Sequence, residues 1–189
     1  MFAKVFQQVE ANDDLLSYDK KGKNIPYLIT DEVKGAALVG IRYKQLWSDA
    51  PLPHNTPEHA FRVIAGDFVT TDDGTGIVHT APTFGADDAV VAKQATPEVP
   101  PMLVLDEHEQ LVPLVDLQGR FRKELGSLGG KYVKNEYYDD GQAPDKSVDV
   151  EIAIRLKEEN KAFTVEKYVH SYPNCWRTDK PVLYYPLDS

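Results

Sequence analysis

The sequence predicts an α+β domain, mainly β and barrel-like, rather than a doubly wound sheet. Runs with strand character outnumber runs with helical periodicity, and no strand–helix–strand rhythm repeats along the chain. The 13 prolines and 12 glycines, against only 2 methionines, suit many short elements and turns better than a long-helix bundle. At 189 residues the chain is long enough for one large domain or two small ones. A domain of this size hides roughly 70% of its unfolded surface, so it needs no covalent staples. The 42% hydrophobic and 27% charged content is that of ordinary globular proteins.

Each element has a local reason. Residues 1 to 23 are polar and lysine-rich, with Asp13, Asp14 and the Lys20-Lys21-Gly22-Lys23 run forming an exposed turn. Strand signals begin at residues 25 to 30 and recur at 37 to 43, where Leu38, Val39, Ile41 and Tyr43 are β-formers. Pro51, Pro53 and Pro57 make residues 49 to 57 a loop. Residues 61 to 71 and 75 to 80 read as a hairpin across Asp72-Asp73-Gly74. Pro82 closes that strand, and Gly85-Ala86-Asp87-Asp88 opens a short helix whose carboxylates complement the positive end of the helix dipole. After the loop marked by Pro97, Pro100 and Pro101, residues 102 to 105 and 110 to 115 form a second hairpin across 106 to 109. Residues 126 to 141, rich in glycine, lysine and tyrosine, carry no assignable period. The clearest helix covers 148 to 160, with Val148, Ile152 and Leu156 on one face and Ser147 or Asp145 as its cap. Residues 161 to 170 alternate as a strand, with Phe163, Val165 and Val169 on one side and Thr164, Glu166 and His170 on the other. No internal repeat is visible.

Charge and cysteine content narrow the functional classes. Twenty-one basic against thirty acidic residues give a formal charge of −9, which opposes non-specific nucleic-acid binding, since that depends on a basic surface. A few placed contacts to one end of one RNA remain compatible with it. The single cysteine, Cys175, removes any intrachain disulfide and any multi-cysteine zinc site, so a reducing, cytoplasmic setting is expected. The first ten residues lack the basic start and the apolar core of about 7 to 15 residues of a signal peptide. No run of about 18 apolar residues suggests a membrane span.

The densest chemistry lies in residues 72 to 88, which place a Gly-Thr-Gly turn, an imidazole and two carboxylates close together. Glycines there admit a ligand or a neighbouring backbone closely, although a plain hairpin glycine pair reads the same way. His79 suits either a site role or a hydrogen-bonded structural role at a strand end, and Asp87 and Asp88 either a site or a helix cap. His79, Asp87, Asp88, His108 and His170 follow no spacing with a known coordination mechanism, so no metal is expected. The Gly74-Thr75-Gly76 turn lacks the following lysine of a phosphate loop, and no Gly-x-Ser-x-Gly elbow occurs. Near the C-terminus Tyr168, Tyr172, Trp176, Tyr184 and Tyr185 surround His170, Cys175 and Arg177. Such aromatics pack on a neighbouring surface or stack bases. Cys175 reads as an inert buried thiol or as a nucleophile beside His170.

Gly74-Thr75-Gly76-Ile77-Val78-His79-Thr80-Ala81-Pro82, followed by Phe84-Gly85 and Asp87-Asp88, closely resembles the editing-insertion signature of the class I isoleucyl-tRNA synthetases. Lys34-Gly35, Leu38-Val39-Gly40 and Tyr43 resemble the strand entering that site, and residues 61 to 71 resemble the next strand. Tyr172-Pro173, Cys175-Trp176-Arg177 and Pro181 resemble the return toward the synthetic core. Valyl and leucyl relatives share the turn and a later aspartate, whereas Val78-His79 with Phe84-Gly85 favours the isoleucyl branch.

The resemblance implies a barrel-like editing domain of the valyl/leucyl/isoleucyl type at residues 1 to 170, N-terminally incomplete, and a return segment at 171 to 189. It implies hydrolysis of valine misplaced on isoleucine tRNA. A missing methylene supplies only about 1–3 kcal/mol of discrimination, a limit for which this same enzyme family is the standing illustration. Asp88 would hold the α-ammonium group of the misplaced amino acid, with His79 lining the side-chain and ester end. Gly74, Thr75, Gly76, Phe84 and Asp87 would complete the substrate site. The implied partners are the aminoacylated tRNA(Ile) acceptor end and the catalytic core of the same polypeptide. ATP and Mg would belong to that core, and this piece would hold no cofactor. The family's threonine-rich Thr-Thr-Pro-Trp-Thr type run has no equivalent here, and neither have its HIGH-type and KMSKS-type motifs, so ligase chemistry is expected outside the chain. A non-catalytic docking module for the acceptor end, or the editing domain of a valyl or leucyl relative, is the alternative.

Overall fold

The computed structural model describes residues 6–10, 15, 25–72, 75–165, 167, 169 and 171–186. The chain divides into two compact units, Met1–Leu38 and Val39–Ser189. In the first, strands β1 (Phe6–Gln8) and β2 (Ile25–Tyr27) pair in parallel, with Phe6 opposite Ile25 and Gln8 opposite Tyr27. Pro26 fits there because a two-stranded ladder uses only one hydrogen-bonding edge of each strand. The Phe6 and Tyr27 rings meet edge to face at 6.1 Å. A 3-10 turn, Gly35–Leu38, follows. The polar turn expected around Asp13, Asp14 and residues 20 to 23 lies outside the described residues.

The second unit opens with a short antiparallel contact. Tyr43 N donates to Phe61 O (2.9 Å), Val63 N to Ile41 O (2.8 Å) and Gly40 N to Val63 O (2.9 Å), around an Arg42–Arg62 bridge. The ladder stops there because both ends leave the extended region, with φ +91° at Gly40 and +52° at Phe61. Residues 37 to 43 and 61 to 71 were both expected as full strands. The second is cut again by a turn in which Val69 N reaches Gly66 O at 3.2 Å. Residues 75 to 80 form no strand among the described residues, and Asp73 and Gly74 of the expected turn lie outside them.

Helix α1, Ala86–Gln94, forms where the acidic entry placed it, with Asp87 and Asp88 in its first turn and Lys93 in its last. Strands β3 (Leu103–Leu105) and β4 (Leu111–Pro113) pair antiparallel, with Val104 opposite Val112. Their turn is built on Asp106, whose Oδ1 accepts from His108 N and Gln110 N, both at 2.9 Å. The Gln110 amide, aided by that of His108, holds the Asp106 carboxyl below its ordinary range. Residues 126 to 141 fold as 3-10 turns at Lys123–Leu128, kinked at Gly126, and Asn135–Tyr137. That explains why they carry neither a 3.6-residue nor a 2-residue period.

Helix α2, Val148–Glu158, starts after Ser147, whose carbonyl accepts Glu151 N at 3.0 Å while its hydroxyl makes no cap bond. Its apolar face closes the core: Leu125, Leu128 and Val148 are buried together, with Trp47, Ala50, Leu114, Phe121 and Ile152 packed against them. Arg155 ties α2 to the Trp47–Asp49 loop, its guanidinium 4.1 Å from the Trp47 ring centroid and 2.6 Å from the Asp49 carboxylate. The described part of 161 to 170 forms no strand, leaving Phe163, Val165 and Val169 exposed, with Glu166, Tyr168 and His170 outside the described residues. Residues 171–186 form a narrow loop held by an Asn174–Pro181 bridge, and Tyr137 Oη donates to Pro181 O at 2.9 Å.

The fold is therefore small and mixed in α and β, and among the described residues no closed barrel forms. Closure needs a continuous hydrogen-bond register around the ring. Here each sheet has two strands of three residues, and the strands expected at 37 to 43 and 61 to 71 are interrupted at Gly40, Phe61 and Gly66.

Candidate functional site

The residues of the Gly-Thr-Gly signature open on a loop. Thr75 Oγ1 accepts from Ile77 N (3.3 Å) and donates to Ile77 O (3.2 Å), a local turn of the kind hydroxyl side chains favour. Gly76 sits at φ +72°, where a side chain is strained. Gly74 lies outside the described residues. Ile77, Val78 and His79 follow, all exposed, with Ile77 at 63%.

At Ala81 the chain turns back on itself. Phe84 N and Gly85 N both reach Ala81 O, at 3.2 and 3.1 Å, and α1 begins directly afterwards. The half-buried Asp88 carboxylate folds back across this turn, where Oδ2 accepts Ala81 N at 3.0 Å. Asp88 is thus neither a plain cap of its own helix nor a free surface acid. It fastens the segment before the helix to the helix's first turn, near the positive end of the dipole. Asp87, one residue earlier, is exposed.

Two further contacts hold the turn. Thr83 is buried, at 7% exposure, and its Oγ1 accepts Met102 N at 2.7 Å just ahead of β3. Phe84 meets Tyr185 edge to face at 6.2 Å, so the C-terminal loop packs on the signature turn. Phe84 and Asp88 are brought together on one turn, whereas His79 and Asp87 stand at its exposed flanks. Thr83 was missed from sequence, because it acts through a partner distant in the chain, whereas Tyr185 was named among the C-terminal aromatics but without its partner Phe84.

The remaining candidates lie elsewhere. His108 is on the β3–β4 turn, 3.8 Å from Glu107. Among the described residues no group of three or more His, Cys, Asp or Glu is placed to hold a metal ion. Cys175 heads a tight turn, and the Thr178 hydroxyl, followed by the Arg177 and Thr178 amides, holds its thiol below the ordinary range. His170, the partner that the sequence offered it, lies outside the described residues. Trp176 is 85% exposed, with the Arg177 guanidinium 4.6 Å from its ring centroid. A cavity of about 340 Å³ beside the hairpin is lined by Asp106, Asp116, Arg120 and Lys123 among others, and by none of the signature residues. Two of its cations are paired, Arg120 with Asp116 at 3.3 Å and Lys123 with Glu107 at 3.1 Å, and a third, Arg122, donates from Nε to Pro113 O at 2.9 Å. Among the described residues no helix is long and apolar enough to cross a membrane.

Comparison with known proteins places the signature turn in its class: the chain is homologous to part of an aminoacyl-tRNA synthetase. More narrowly, it is homologous over its whole length to a segment of the isoleucine–tRNA ligases. It is 52% identical to the isoleucine–tRNA ligase of Cytophaga hutchinsonii over 200 residues, covering 100% of this chain and 17% of that protein. It is 48% identical to that of Porphyromonas gingivalis, covering 92% of this chain and 16% of the relative. The Clostridium tetani ligase is 38% identical over 97% of this chain and 15% of its own length. The chain thus spans about a sixth of the length of the curated relatives it matches. No protein-family model matches it.

Proposed function

We propose that this segment is the editing portion of an isoleucine–tRNA ligase and takes part in hydrolysing valine misplaced on isoleucine tRNA. One observation supports the reading above the rest: the Asp88 carboxylate is anchored at the start of α1 by Ala81 N, at 3.0 Å, next to the exposed Ile77–Val78–His79 stretch. A fixed carboxylate there suits the α-ammonium group of an aminoacyl ester, because a charge-assisted hydrogen bond both attracts and orients the cation. His79 lies on the approach to the ester, and Thr75, Gly76, Phe84 and Asp87 border it, with Gly74 in the same motif.

The chemistry is ester hydrolysis. Water adds to the carbonyl carbon, and the negative charge gathering on the carbonyl oxygen requires hydrogen-bond donors from the backbone or the tRNA hydroxyls. The acyl C–O bond then breaks, one proton ends on the ribose oxygen, and the amino acid leaves as its carboxylate with release of the other proton. Asp88 positions the ester in this scheme and takes no proton. The barrel-like surround, the tRNA(Ile) acceptor end as partner, the ATP- and Mg-dependent ligase chemistry of a catalytic core in the same polypeptide, and a cytoplasmic setting belong to the same proposal.

The test is deacylation of valyl-tRNA(Ile) by the full-length ligase carrying this segment, with Asp88→Ala. Loss of one hydrogen bond to a charged group, about 1.5–3 kcal/mol, lowers kcat/KM by about 10- to 150-fold. Unchanged hydrolysis overturns the role of Asp88. The exposed Trp176 and its Arg177 neighbour favour a second reading, a docking module for the acceptor end. It is supported if the ligase retains tRNA affinity through this segment while the segment contributes no turnover.

A further inference from the structure

We infer that Gly85 is a positioning residue for Asp88, its bare Cα leaving the space in which the carboxylate folds back onto Ala81. The inference rests on the reading of Asp88 proposed above. Gly85 has φ −107° and ψ 122°, ordinary extended backbone open to any residue. Glycine is therefore not required by conformation, in contrast to Gly76 at φ +72°. It also occupies the N-cap of α1, where Ser, Thr, Asp or Asn would normally satisfy a helix N–H, and no side-chain cap replaces them. What the position does demand is room. A Cβ on Gly85 would overlap Asp88 Oδ2 and would lie 2.8 Å from its Cγ and 3.0 Å from its Cβ.

The backbone has little freedom to yield, because Gly85 N is bonded to Ala81 O at 3.1 Å and Gly85 O accepts Ala89 N at 2.9 Å. A short aspartate cannot bend around the added methyl while keeping Ala81 N. The methyl of Gly85→Ala therefore evicts the carboxylate and leaves α1 and its first hydrogen bonds in place.

Two measurements test this. In the 189-residue chain, NMR follows hydrogen exchange at the Ala81 amide. Exchange is slow in the unaltered chain, where the Asp88 carboxylate accepts that N–H, and accelerates in Gly85→Ala as it does in Asp88→Ala. In the full-length ligase, Gly85→Ala lowers valyl-tRNA(Ile) deacylation by about the same 10- to 150-fold as Asp88→Ala. The Gly85→Ala/Asp88→Ala pair is no slower than Asp88→Ala alone, because no carboxylate is left to displace and only the 3.0 Å approach to the Cβ of residue 88 remains, which a small shift relieves. The double variant also guards against misfolding, since it removes the two closest approaches, those to Oδ2 and Cγ. An Ala81 amide that exchanges no faster in Gly85→Ala, or two losses that multiply, overturns the inference. If exchange accelerates while deacylation persists, the spatial role of Gly85 stands and it is the editing role of Asp88 that fails.

Discussion

Thr83→Val isolates one hydrogen bond with almost no change of shape. Valine fills the same volume, so no cavity opens, but Met102 N loses the hydroxyl that accepts it at 2.7 Å. Leaving a buried amide without a partner costs about 1–3 kcal/mol. Thr83 is 7% exposed and Met102 only partly buried, which allows some access of water to the amide and favours the lower half of that range. For a domain of this size a loss of about 1–2 kcal/mol lowers Tm by roughly 2–8 °C. Stability alone does not identify the cause, because Thr83→Ser keeps the acceptor yet removes a buried methyl worth about 0.8 kcal/mol. The decisive assay is amide hydrogen exchange resolved by residue. Exchange at Met102 accelerates in Thr83→Val and stays near the original rate in Thr83→Ser. An unchanged Met102 rate in the valine variant refutes the reasoning, whatever happens to Tm.

Two more outcomes follow from the same geometry. Leu128→Ala removes a side chain that is 4% exposed and packed with Leu125 and Val148, and the urea midpoint falls by an amount equivalent to about 2–5 kcal/mol. A loss below about 1 kcal/mol would show that the site collapses freely. The lowered pKa of Cys175 means that its thiolate forms at lower pH in the folded chain than in the unfolded one. The rate of alkylation by iodoacetamide accordingly rises at lower pH in the native protein than in urea, and Thr178→Val moves the native profile upward. Coincident native and unfolded profiles would disprove the Thr178 contact.

What was legible in the sequence was local. Helix α2 showed itself through Val148, Ile152 and Leu156, helix α1 through Asp87 and Asp88 ahead of Ala89, and the β3–β4 hairpin through the polar turn at 106 to 109 between two apolar runs. Each contains its own hydrogen-bond partners within a few residues. The expected strands at 37 to 43, 61 to 71, 75 to 80 and 161 to 170 depended on partners elsewhere, and β-propensity reports a pleated, half-buried environment rather than a backbone preference. Ile41, Val78 and Val165 have that propensity and remain exposed. In the candidate site, Asp88 stood out by charge and position. Thr83 did not, because it depends on Met102, nineteen positions away; Gly85 stood out as part of the motif, but its spatial role, the absence of an atom beside Asp88, did not.

The contact of Phe84 with Tyr185 has a consequence for how the chain is made. Its two rings are separated by about a hundred residues, a span whose closure entropy grows only slowly with length but which sets an order in time. During synthesis the Ala81 turn and α1 leave the ribosome, and can form, long before Tyr185 exists. A nascent chain halted before residue 185 would carry an assembled Asp88–Ala81 clasp with the Phe84 ring still uncovered. The later-made ring finishes the packing beside a turn that is already formed.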